Sequence, residues 1–118
     1  MARVRFTILI GICLAAFGAL AGERFLSAIA DLPLMPGLTE AAGSAVVFSK
    51  PEGRIVEVAA HGAVERAAVL GFYRRTLPQL GWRPDGKGAF VRDRERLALA
   101  FSRASGQLVV QFSLAPKA

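Results

Sequence analysis

Cysteine is nearly absent from this 118-residue chain, and the single one, Cys13, lies inside its most apolar stretch. The rest of the chain therefore has no thiol for a disulfide, which excludes the cross-linked frameworks of small toxins and growth factors. It has no thiol for a nucleophile either. Histidine is as scarce: His61 stands alone, in an Ala60-His61-Gly62 junction. Nucleophilic catalysis needs a nucleophile beside a base, and no G-x-S-x-G elbow accompanies this histidine. It reads as a surface or capping residue at a helix start, so no catalytic residue is assigned. The acids Glu52, Glu57, Glu65, Asp85, Asp93 and Glu95 are scattered, and with one histidine they make no recognised metal-ligand set. No metal and no cofactor is expected. Asp85-Gly86-Lys87-Gly88 lacks the strand-loop-helix order of a phosphate loop and reads as a turn.

Hydrophobic residues, by contrast, make up 53% of the chain, and the net charge is +6. Arg3 and Arg5 precede sixteen uncharged residues, Phe6 to Ala21, which are expected to form an N-terminal hydrophobic helix. Ala19-Leu20-Ala21 fits the small-x-small pattern before a signal peptidase site, so residues 1–21 read as a secretory signal. The alternative is a retained anchor. A spanning helix needs about 20 apolar residues, and Phe25 to Ile29 could extend the run. Either way the arginines hold the N-terminus in the cytoplasm and the remainder lies outside it. That places the chain in the periplasm or in the inner membrane with its domain outside the cytoplasm. Cleavage before Gly22 leaves 97 residues at +4, enough for a modest core without metal or disulfide. Cys13 follows Ile12 and only seven uncharged residues, which does not fit a lipidation site.

Residues 22–43 read as an arm. Asp31 to Leu38 holds two prolines and a glycine, which disfavours a regular helix. Yet Leu32, Leu34, Met35 and Leu38 are large and apolar, unlike a solvated linker. Two readings stand. The arm packs on the domain's own sheet or helix, or those four residues bind a partner or a membrane surface.

Residues 44–118 form the expected domain. Ala45–Ser49 and Arg54–Ala60 read as a hairpin around Lys50-Pro51-Glu52-Gly53, a type I turn pattern. Ala63 to Leu80 reads as a helix, with Val69, Phe72, Tyr73, Thr76, Leu77 and Leu80 on one face and Val64, Ala67 and Ala68 continuing it. Pro78 should tighten the last turn, Gly81 supplies the position after the helix, and Trp82 is expected to fold back on the core. Ala89–Arg92, Arg96–Ser102 and Gln107–Leu114 read as strands. In the last, Leu108, Val110, Phe112 and Leu114 alternate inward. The order is ββαβββ: an α+β, two-layer domain whose antiparallel sheet is covered by one helix.

Arg92, Arg94 and Arg96 are the most visible charged cluster, a candidate surface for anionic lipid. Nucleic acid is not expected as a partner, because aromatic interleaving is missing. The stretch Phe72-Tyr73-Arg74-Arg75-Thr76-Leu77-Pro78-Gln79-Leu80-Gly81-Trp82, with the Asp31–Leu38 arm (DLPLMPGL) and the Gly53-Arg54-Ile55 turn, resembles a family of small exported or membrane-anchored proteobacterial proteins. The resemblance implies the architecture and no activity. The expected function is a non-enzymatic periplasmic or membrane-tethered accessory domain that binds a protein or envelope component through the arm and the exposed sheet face. The alternative is peripheral binding to anionic lipid through the three arginines.

Overall fold

A computed structural model describes residues 24–117. The hydrophobic helix, the signal or anchor, Arg3, Arg5 and Cys13 all lie outside the described residues. Among those described, no helix is long and apolar enough to cross a membrane.

The fold is an antiparallel sheet with one helix. Its strands are β1 (Thr39–Glu40), β2 (Val46–Lys50), β3 (Gly53–Gly62), β4 (Arg83–Pro84), β5 (Ala89–Arg92), β6 (Glu95–Ala104) and β7 (Gln107–Pro116), and α1 spans Arg66–Thr76. The order across the sheet is β1-β3-β7-β6-β5-β4, with β2 pairing the other end of β3 on the side that β1 also uses. The turns follow from residue chemistry. Pro51-Glu52 links Lys50 to Gly53, where φ is 144°. Ser105-Gly106 links Ala104 to Gln107 with φ of 52° and 77°. Two positive angles in a two-residue loop match the right-handed twist of the strands they join.

Alternation sets the faces. Val56, Val58 and Ala60 of β3 and Leu108, Val110, Phe112 and Leu114 of β7 are buried on the side that carries the helix. Val69, Tyr73 and Leu77 are the buried stripe of the helical segment. Spacing of four residues places them one turn apart on one face. The expected face is wider than the observed one. Ala67 and Ala68 are exposed and Leu80 is 36% exposed, so they lie outside the core. The helix also begins at Arg66 rather than Ala63. Its end behaves as expected. Pro78 sits in a 3-10 turn, Leu77–Leu80, and Gly81 adopts φ 93°. The Trp82 amide then donates to the Leu77 carbonyl at 3.1 Å, and the indole is buried.

The arm belongs to the same core. Leu26, Ile29, Leu32, Leu34 and Leu38 are buried with Val56, Tyr73 and Phe112, and Met35 packs against them. No core boundary falls at residue 44. The arm is held by an isolated bridge between Phe25 and Pro33. The Leu26 amide donates to the Leu32 carbonyl at 2.9 Å, and the Leu34 amide to the Arg24 carbonyl at 2.8 Å. Met35-Pro36-Gly37-Leu38 is a tight turn: the Leu38 amide donates to the Met35 carbonyl at 3.0 Å, and φ at Gly37 is 98°. Proline second and glycine third are the residues a type II turn requires.

Candidate binding groove

Two-residue turns on both sides of β6 fix which way its backbone bonds point. Ala104 and Gln107 flank one such turn, and Arg92 and Glu95 flank the other. Residues flanking a two-residue turn exchange both hydrogen bonds, and the direction alternates along an antiparallel strand. Ala98, Ala100, Ser102 and Ala104 therefore bond to β7. Leu97 and Glu95 bond to β5. Leu99, Phe101 and Arg103 aim their amides and carbonyls the same way, but β5 is too short to meet them. Its pairing stops at Ala89 with Ala98. Among the described residues, nothing pairs with this edge of β6 beyond that point, while the other edge stays paired with β7. The free stretch is six residues long, or about 20 Å of strand.

A groove of about 320 Å³ runs between this free edge and α1. Arg66, Leu70 and Arg74 form the helix side, and Leu99 and Phe101 form the strand side. Ala89 and Phe90 close one end, beside the Pro84–Gly88 loop. Among the described residues, no acid lines the groove. Arg66 and Arg74 are exposed, whereas Leu70, Leu99 and Phe101 are half-buried. The Arg66 guanidinium lies 5.0 Å from the centre of the Phe101 ring, a cation-π distance that orients it along the groove wall. Asp85 pins the loop. Its carboxylate accepts from the amides of Lys87 at 2.7 Å and Ala89 at 3.0 Å, and from Arg96 Nε at 3.0 Å. Those amides, with the arginine, hold its carboxyl below the usual carboxylate range.

The residues singled out from the sequence sit elsewhere. Leu32, Leu34 and Leu38 are enclosed by the protein itself and Met35 is half-buried against the same core, so the arm takes the self-packing alternative. Leu34, Met35 and Leu38 also line a cavity of about 300 Å³ beside Arg24 and Pro36. Burial of their hydrocarbon on the sheet is the favourable outcome wherever the domain supplies the cover. The three arginines do not form one surface. Arg92 points to the helix side, where it bonds Asp31 Oδ2 at 2.7 Å and the Leu80 carbonyl at 3.0 Å and lies 4.4 Å over the Trp82 ring. The Arg92 guanidinium in turn holds the Asp31 carboxyl below its ordinary range. Arg96 points to the opposite face, toward Asp85. Arg94 lies exposed in the turn between them.

The face of the sheet away from the helix carries mutually bonded polar side chains on β3 and β7, beside the exposed apolar residues Val46 and Phe48 of β2. Glu57 accepts from Gln111 Nε2 at 2.8 Å and Ser113 Oγ at 2.9 Å. His61 Nδ1 shares a hydrogen bond of 2.8 Å with the Gln107 side chain. These groups satisfy one another across strands, and among the described residues no acid or hydroxyl is hydrogen-bonded to the histidine. Among the described residues, no group of three or more metal-ligating side chains occurs. Compared with family models, curated proteins and solved structures, the chain matches none.

The free half of β6 was missed from the sequence, although a signal for it exists. Ala89–Arg92 is four residues long and its hairpin partner is ten. A two-residue turn lets only the first four pair.

Proposed function

We propose that this chain is a non-enzymatic accessory domain that binds a protein by adding one of its strands to the free half of β6. The domain works outside the cytoplasm, either exported or held in the inner membrane by its N-terminal segment. The location agrees with the resemblance to small exported or anchored proteins. The observation that carries the reading is the row of outward amides and carbonyls at Leu99, Phe101 and Arg103 beside an open groove. Backbone pairing of this kind supplies affinity, and side-chain pockets supply selectivity. An unpaired strand edge is ordinarily blunted by charge, proline or a bulge. Leu99 to Ala104 carries only Arg103 as a charge and no proline.

Lipid binding through Arg92, Arg94 and Arg96 has less support, because two of the three are committed to internal acids on opposite faces.

A photo-crosslinking residue tests the reading in cells. At Ser102, on the free strand, it is expected to capture a protein. At Val47, an exposed residue of β2, it is not. The captured protein, purified and added back, should slow hydrogen exchange at the amides of Leu99, Phe101 and Arg103. Capture at Val47 alone, or unchanged exchange at those amides, overturns the reading.

A further inference from the structure

Three residues of α1 face the groove at a regular interval. Arg66, Leu70 and Arg74 are four apart in sequence and all line it. Four residues of helix rise about 6 Å. Two residues of a strand rise about 6.6 Å, and side chains two apart lie on the same face. A strand laid against β6 would therefore place its alternate side chains in register with these three. The first and third positions meet guanidinium groups. The middle one meets Leu70, Leu99 and Phe101.

From this spacing we infer that the occupant is an extended acidic segment of the form acid-x-apolar-x-acid, where x points to the far face of the sheet. This rests on the strand-addition reading above and adds to it the chemistry of the partner. Charge selects this occupant over two others. The N-terminal segment of the chain itself, residues 1–23, carries two arginines and one acid. The exposed β2 strand of a second copy, Val46–Lys50, carries a lysine and no acid, and each copy is at +6. Neither offers a pair of carboxylates two strand steps either side of an apolar residue. An acidic segment does, and guanidinium-carboxylate pairs set register as well as affinity.

The test uses the full-length chain in a non-ionic detergent and three acetylated, amidated heptapeptides. The first is Thr-Glu-Thr-Val-Thr-Glu-Thr, and the others replace both Glu with Gln or with Lys. Amide resonances of Leu99, Phe101 and Arg103 report binding. The Glu peptide should shift them and bind at least about tenfold more tightly than the Lys peptide. Raising NaCl from about 50 mM to about 500 mM should weaken it severalfold. The double variant Arg66→Glu/Arg74→Glu should reverse the preference. Both positions are exposed, so the variant is expected to fold, and binding of the Lys peptide by it is the positive control for that fold. If the Gln and Glu peptides bind alike at these amides, the acidic inference falls and strand addition stands. If no peptide shifts the three amides, strand addition itself falls. If vesicles of phosphatidylglycerol produce the same shifts and the double variant abolishes them while the peptides bind nowhere, the groove serves a membrane and the inference is overturned.

Discussion

At the scale of single residues, two positions hold the arm to the body of the domain. A Cβ at Gly62 would lie 2.1 Å from the Gly37 carbonyl oxygen, so the backbones of β3 and the arm approach more closely than any other residue allows. Gly62→Ala must push them apart. We expect it to cost about 3 kcal/mol, the upper range for forced overpacking, read from the midpoint of denaturant unfolding. Tyr73 is the other position. Its hydroxyl donates to the Pro33 carbonyl at 2.8 Å and accepts from the Met35 amide at 3.2 Å. The ring is edge-on to Phe112 at 5.6 Å. Burial raises its pKa from 10.0 to about 12. The folded state thus favours the neutral phenol, and that contribution is complete below pH 10. It is lost as the pH rises toward 12, because the unfolded phenol releases its proton first. Tyr73→Phe should cost about 1–2 kcal/mol at neutral pH, by leaving a part-buried carbonyl and amide without their partner. It should also flatten the fall in stability between pH 10 and pH 12. An unchanged slope in denaturation curves across that range would show that the phenol is not its source.

At the scale of elements, the arm is the decisive piece. Leu32 is fully buried, and Leu32→Ala should cost about 3 kcal/mol. A chain that begins at residue 44 should lack a cooperative unfolding transition. If such a chain melts as sharply as the whole protein, the arm is dispensable and its burial is incidental. The strands and the helix were legible because their periods are strong. Leu108, Val110, Phe112 and Leu114 repeat every second residue, and Val69, Tyr73 and Leu77 every fourth. The arm has no period, since its shape comes from Pro33, Pro36 and Gly37. Its hydrophobicity therefore foretold a cover without saying whose. The two-residue strands β1 and β4 were invisible for a related reason: two residues carry no alternation. The faces of the arginines were not legible, because spacing along β5 and β6 crosses a turn. Arg92 and Arg96 end on opposite faces, and their acids, Asp31 and Asp85, come from distant parts of the chain. The groove depends on a mismatch of strand lengths, which periodicity of either strand alone does not reveal.

At the scale of the whole molecule, the proposed location makes its own prediction. A C-terminal tag should be digested when protease is added to intact spheroplasts, and a protected tag would sink the placement outside the cytoplasm. The mass of the recovered chain separates the two forms. A mature protein beginning at Gly22 means a cleaved signal, and a full-length protein in the membrane pellet means an anchor. On the proposed placement both forms turn the groove to the same compartment, and the proposed partner is expected to present its acidic segment there.

The short loop closed between Phe25 and Pro33 has a mechanical consequence. Tension entering from the N-terminal side arrives at residue 24. The first bond in its path is the one from the Leu34 amide to the Arg24 carbonyl. Behind it stand the Leu26–Leu32 bond and the Phe25–Pro33 bridge, then the bonds of Tyr73 to Pro33 and Met35 and the pairing of β1 with β3. Load that opens this loop strips Leu26, Ile29 and Leu32 from the shared core, so tension on this end reaches the sheet through lost cover rather than being absorbed ahead of it.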